Sequence, residues 1–413
     1  MKLRLLLTVF LSCFLPGVFV LPVLAKLEVH PSLTFEEKYT DNLFLTHDNE
    51  VEDWITTIEP GISFSLTNRV ADLTLDYSYR LTFYKNNDDL DSSDFEGGQR
   101  STVATTFFKD HPFTLGVSGS ISRETLDERE NNNEENELVN KSTVYSLSVN
   151  PQYRLRLSES TSVVFGYIYD RTDHEDPRGS DYQQHTGRLS LVKQLSTNTE
   201  ISANYSYMVH QSSDDDEYDQ QRYTLGLNQQ LGPRTTIALQ GGISTIEYEN
   251  GQNEETINWL VDVSYQLTAP VTLSLRYSQD FANASTEGLT ENRDAVFAIN
   301  YQKESLTANT DVYWSVSDYV LTSRKDESYG TRFSLSFPLS RALSTRFTAG
   351  YEKSKYDDVV DEEVDHYNAG TSLDYKFSRF LTSLTYSYRL NDADIDASDY
   401  TNNTVTLRVT VRF

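Results

Sequence analysis

Apolar and polar residues alternate one for one along most of the chain, and the last ten residues show the pattern most plainly. In residues 404–413, Val405, Leu407, Val409, Val411 and Phe413 take one side of an extended strand, while Thr404, Thr406, Arg408, Thr410 and Arg412 take the other. Successive side chains of a strand point to opposite faces, so one face wants oil and the other water. The division recurs upstream. Leu73, Leu75, Tyr77, Tyr79 and Leu81 oppose Thr74, Asp76, Ser78 and Arg80; Ile201, Ala203, Tyr205 and Tyr207 oppose Ser202, Asn204 and Ser206; Leu384, Tyr386 and Tyr388 oppose Thr385, Ser387 and Arg389.

The connections between these runs come in two sizes. Short turns fall near 67–70, 109–112, 157–160, 196–199, 232–234, 268–270, 303–305, 340–343 and 378–379, and longer polar segments lie around 86–96, 127–140, 173–180, 212–219, 249–254, 284–290, 321–327, 357–363 and 391–399. Short and long alternate strictly. A transmembrane antiparallel up-and-down β-barrel does this, with tight turns at its inner rim and longer loops at its outer rim. The spacing predicts an all-β chain of about 20 strands, within a range of 18–22, and an even number brings both ends of the barrel to the same side. Pro151 sits inside one of these strands and cannot donate to the ladder, which predicts a bulge or a strand boundary there.

Composition agrees with a sheet that is half lipid-facing and half wet: only 38% of residues are hydrophobic, mean hydropathy is −0.53, and there are 27 tyrosines. Beyond the amino terminus no run of about 20 apolar residues exists, so helical spans are excluded. At that terminus Lys2 and Arg4 precede an apolar stretch ending in Val23-Leu24-Ala25. This reads as a secretory signal peptide over 1–25, cut after Ala25, with the barrel occupying 26–413. Cys13, the only cysteine, would leave with it, which excludes disulfides and thiolate chemistry from the mature protein. A net charge of −27 lacks the basic footprint that nucleic acid requires, so no nucleic-acid partner is expected. Tyr79, Tyr169, Tyr207, Tyr277 and Tyr388 lie toward the ends of apolar runs, where a ring can sit at the lipid headgroups.

Ending on Phe413 resembles the closing strand of bacterial outer-membrane barrels, in which a terminal Phe is read by the barrel-assembly machinery. Tyr39-Thr40-Asp41-Asn42-Leu43-Phe44-Leu45, followed by Asp53-Trp54-Ile55-Thr56-Thr57-Ile58-Glu59-Pro60-Gly61-Ile62-Ser63, resembles the opening hairpin of the "putative β-barrel porin" families that include PEP-CTERM-system-associated outer-membrane proteins. The resemblance implies a multi-pass barrel in the Gram-negative outer membrane, set among lipid and lipopolysaccharide, near exopolysaccharide export components, with no catalytic residues.

The polar faces carry arginines: Arg80, Arg154, Arg156, Arg222, Arg276, Arg332, Arg346, Arg389, Arg408 and Arg412. Facing the lumen, they would set selectivity for anions. Equally, each could pair with a lumen acid such as Asp76, Asp262, Asp311 or Asp374 and simply fill space. Asp392, Asp394 and Asp396 begin with the spacing of a calcium loop, but Ala397 and Asn403 stand where Gly and Glu are needed. The acidic runs read first as solvated loops, so no cofactor is expected, with loosely held calcium at the outer loops as the alternative. His210, His174, His185 and His366 converge on no serine or acid in sequence, so no enzyme is expected. Three functions remain: a conduit accessory to exopolysaccharide export, a general diffusion porin, or a non-conducting surface scaffold whose acidic loops hold cations.

Overall fold

The computed structural model describes residues 26–92, 97–127, 138–213, 217–249, 251, 253–284, 288–322, 324–357, 361–395 and 398–413. The expected leader at 1–25, Asp396 and most of the acidic run 214–217 lie outside them. The strands are β1 (Lys26–Thr40), β2 (Asp53–Thr67), β3 (Ala71–Tyr79), β4 (Leu81–Tyr84), β5 (Gln99–Phe107), β6 (Phe113–Thr125), β7 (Lys141–Arg156), β8 (Thr161–His174), β9 (Tyr182–Ser196), β10 (Thr199–Ser212) and β11 (Tyr218–Leu231). They continue as β12 (Thr235–Tyr248), β13 (Asn253–Thr268), β14 (Val271–Ala284), β15 (Gly288–Lys303), β16 (Leu306–Tyr319), β17 (Lys325–Pro338), β18 (Leu343–Asp357), β19 (Glu362–Phe377), β20 (Phe380–Ala393) and β21 (Tyr400–Arg412).

Every strand pairs antiparallel with its neighbours in one sheet. β1 also pairs with β21, from Ser32 opposite Arg412 to Thr40 opposite Thr404, so the sheet closes on itself. Segments β3 and β4 both lie on β2 and form two halves of one stave, giving a closed barrel of twenty staves. The interruption between them at Arg80 faces Glu59 and Pro60 of β2, and Pro60 has no N–H to give to the ladder. All nine short turns occur where the sequence places them, and the long connections gather at the opposite end with the segment 41–52 between β1 and β2.

Pro151 corrects the expectation made for it. Strand β7 runs through it without a boundary, and the register to β8 is the same on both sides, from Val149 opposite Tyr169 to Gln152 opposite Gly166. Only the pairs at 150–151 are missing. A proline whose absent N–H costs a local ladder contact is absorbed without a bulge because the other edge of the strand still pairs, Pro151 with Leu115 of β6.

The two faces divide as the alternation requires. Val405 and Leu407 point outward, each 42% exposed. Arg408, next after Leu407, turns inward, into a cavity it shares with Thr57, Thr82 and Ser383 of other staves. Leu225, Phe377 and Val312 are among the most exposed residues on the outer surface. That is backwards for a protein in water and correct for one in oil, where the wide lumen leaves no central core to fill. The tyrosines Tyr79, Tyr169, Tyr207, Tyr277 and Tyr388 share this outer face with the large apolar residues of their strands. Leu407→Arg, placing a charge in the middle of the outer apolar band, is expected to cost about 2–4 kcal/mol. Thr406→Arg, on the inner face, should cost little. Reversible denaturant unfolding of the two variants from lipid vesicles measures the difference, and equal costs would reverse the assignment of faces.

Candidate functional site

The polar inner wall is the only continuous surface on which chemistry-bearing side chains from many staves converge among the described residues. Its arginines fall into two groups. In the first, each guanidinium is held by a neighbour. Arg408 bonds Glu36 at 2.5 Å across the closing seam, and Arg80 lies 3.2 Å from Glu59. Arg222 of β11 reaches over two staves to Asp280 of β14 at 2.6 Å, with its Nε donating to Ser244 Oγ at 3.1 Å. Arg332 donates to Asp311 at 2.9 Å and lies 4.5 Å from the centre of the Tyr313 ring. Arg389 contacts Tyr400.

In the second group, Arg154, Arg156, Arg276, Arg346 and Arg412 are exposed to the lumen or its rim, and no side-chain hydrogen bond or ion pair joins them to another described residue. Arg276 sits opposite Asp262 in the register without an ion pair forming. The acids proposed from sequence to neutralise the arginines are therefore mostly the wrong ones. Asp311 serves, but Asp76, Asp262 and Asp374 do not, and Glu36, Glu59 and Asp280 take their place. Arg188 of β9 is a further inward arginine that the sequence reading missed, and Arg222 and Asp170 act on it electrostatically. The alternation of Arg188 with Leu189 and Leu191 was the available signal.

At the long-loop end the wall is covered. Strand β6 is the fifth stave and β16 the fifteenth of twenty, so the connections that follow them spring from opposite sides of the barrel. Yet Arg324, after β16, lies 3.6 Å from Asp127, after β6, and its side chain is only 2% exposed. It also pairs with Asp326 and stacks 4.2 Å from the Tyr319 ring. A contact between residues that adjoin opposite staves brings Asp127 and Arg324 together across the mouth. Leu138, at the far end of the same β6–β7 connection, packs on Leu43, Ile55 and Tyr84, which links the crossing to a third part of the wall. A second apolar cluster of Tyr218, Ile246, Tyr248 and Leu289 lies beneath neighbouring hairpins.

The motif that carried the family resemblance builds the fixed edge of this cover. Asn42 is fully buried; its Nδ2 donates to the Thr46 and Thr401 carbonyls at 2.7 and 3.0 Å, and its Oδ1 accepts from the Thr46 N–H. Asp41 accepts from both the backbone and side-chain N–H groups of Asn403 at 2.7 Å, and Asn402 Nδ2 donates to Thr40 Oγ1 and the Asn42 carbonyl. The first loop is thus tied to the last strand. Asp53, also fully buried, holds the next connection through Asn86 and Asn87. In the loop after β8, the Arg178 guanidinium hydrogen-bonds Asp176 and holds that carboxyl below its usual range.

The remaining candidates stay apart. Asp392 stands opposite Asp365 on the next strand, Asp394 donates its backbone N–H to Glu363, and no group of three His or acid side chains gathers among the described residues. His210 stacks on Tyr218 at 4.6 Å between ring centres and takes part in a hydrogen bond with Gln184, away from His174, which lies by Asp181. Phe413 is 62% exposed at the short-turn rim, its N–H bonded to the Pro31 carbonyl.

With this geometry in place, the likenesses to known proteins are informative. Residues 303–413, the last six strands, match the family described as "Putative beta-barrel porin 2". No curated protein matches the chain. Among solved structures it is similar to the siderophore receptor PirA from Pseudomonas aeruginosa, at 12% identity, over 94% of this chain and 80% of that one, with a TM-score of 0.51. It is also similar to the FrpB iron transporter from Neisseria meningitidis, at 9% identity over 93% and 82%, with a TM-score of 0.53. These likenesses show the fold, a large closed antiparallel β-barrel shared with outer-membrane barrels. Arg324→Ala removes the buried cation that joins the two sides of the mouth, at an expected cost of about 3–5 kcal/mol to the crossing. Proteinase K added to vesicles should then cut within 126–140 at least about tenfold faster, since about 1.4 kcal/mol is worth tenfold. An unchanged rate would show that the crossing does not depend on Arg324.

Proposed function

We propose that this chain, whose last six strands match a porin family, spans the Gram-negative outer membrane as a passive channel, and that its service is to exopolysaccharide leaving the cell. The short turns then face the periplasm and the long loops the exterior. The observation that carries the channel reading is the second group of arginines. A guanidinium that faces a wet lumen without a hydrogen bond or ion pair to a described side chain is left for a solute or its counter-ions, whereas a purely structural arginine is held by a partner, as Arg408 is by Glu36. The link to exopolysaccharide is supported by the resemblance of the opening hairpin to PEP-CTERM-associated barrels. Among the described residues no acid, base and nucleophile converge on the lumen, which supports transport over catalysis.

The loops that cross the mouth favour a second reading, a diffusion porin for small solutes, because a polymer would have to displace the Arg324–Asp127 contact. Two measurements separate these. Mature protein refolded into planar bilayers should give discrete conductance steps, and deletion of the gene should lower secreted polysaccharide. Conductance with undiminished polymer would select the porin. No conductance at all would leave a closed scaffold barrel.

A further inference from the structure

The two mouths of the barrel carry opposite charge, and this polarity has a direct consequence for what moves through it and in which direction. Among the described residues, the long connections carry 16 Asp and Glu against Lys85, Arg178 and Arg324. In the connection 320–324, Arg324 is bonded to Asp127 and Asp326. At the other end the sign changes. The short turns carry Arg69, Lys109, Arg234, Arg341 and Arg379 against Asp110, Glu159 and Glu304.

The arginines without protein partners extend this basic rim into the lumen. Arg156 and Arg412 end their strands at the short turns, Arg154 lies two residues inside, Arg346 three and Arg276 five. Higher up the wall, Arg80, Arg222 and Arg389 are all engaged. The same half also holds the inward acids Asp76, Glu200, Asp262 and Asp374, which make no ion pair among the described residues, so the five partnerless arginines with the basic turns leave a small positive excess next to the short turns, against negative charge at the long-loop mouth. Charges in a narrow, water-filled passage with low-dielectric walls enrich the opposite mobile ion locally. Anions accumulate at one end and cations at the other.

We infer that the channel is polarised, admitting anionic solutes from the short-turn mouth and passing them toward the long-loop mouth more readily than in reverse. This rests on the channel reading above and adds the class of solute, an anion, and its direction, outward. When the long-loop side is electrically positive, anions move from the basic half and cations from the acidic mouth toward the middle, both carriers accumulate, and current is high. With the field reversed both are drawn out, and current falls.

Single-channel recording on the mature protein in a planar bilayer with potassium chloride tests this. Orientation is fixed by biotinylating an Asn49→Cys variant and adding streptavidin to one side. At 0.1 M salt, current with the long-loop side positive should exceed the opposite polarity by about twofold, and at 1 M, where screening shrinks from about 10 to about 3 Å, the ratio should approach one. The triple variant Arg154→Gln, Arg156→Gln, Arg346→Gln, which breaks no bond among the described residues, should lose most of the asymmetry at 0.1 M. Symmetric current at 0.1 M, asymmetry of the opposite sign, or asymmetry untouched by the triple variant would each overturn the inference while leaving the channel standing. Absence of channels would overturn both.

Discussion

Closure of the sheet between β1 and β21 is the constraint on which everything else depends. Inside a bilayer every backbone N–H and C=O must find a partner within the protein, and an open sheet would leave two unsatisfied edges in hydrocarbon at several kcal/mol per group. Nine register pairs from Ser32–Arg412 to Thr40–Thr404 remove those edges. The seam is reinforced where it matters: Arg408 bonds Glu36 within the lumen, Thr34 and Thr410 share a hydroxyl hydrogen bond at 2.9 Å, and Asp41, Asn42, Asn402 and Asn403 lace the long-loop end. Removing this lacing would strip the first and last strands of the side-chain contacts that fix their register.

Once the sheet is closed, the period of two decides the rest. A barrel of twenty staves is too wide for inward side chains to meet, so stability comes from the outer apolar band and the ladders, and the inner face is released for function. That freedom shows in the arginines. Those bridging neighbouring staves, such as Arg332 to Asp311, stiffen the wall, while those near the short turns project into the lumen without partners. The same freedom is given up at the long-loop end, where Leu43, Ile55, Tyr84 and Leu138 rebuild a small conventional core across part of the mouth.

Much of this was legible in the residues because it is local. Turn positions, strand faces, the outward tyrosines and the inward placement of Arg408 follow from alternation within a single strand. What was not legible depends on which staves meet. Arg222 and Asp280 are 58 residues apart, and nothing in either segment marks the other as its partner. Arg188 was missed because Gly187 precedes it and weakens the large–small rhythm. The meeting of Asp127 with Arg324 requires loops to leave the wall, which strand periodicity cannot report. Pro151 was misjudged because a ladder interrupted on one side can be sustained on the other.

The direction of the side chains along one strand distinguishes a closed cylinder with a wet interior from any other arrangement of this sheet. Single cysteines placed in turn at positions 404–411 of the mature chain, in proteoliposomes, can be reacted with a membrane-impermeant thiol reagent and, separately, exposed to a quencher dissolved in the lipid. Even positions should react from water and be spared by the lipid quencher, and odd positions should do the reverse. Uniform reactivity along the strand, or alternation of the opposite phase, would contradict a closed cylinder with its wet face inside.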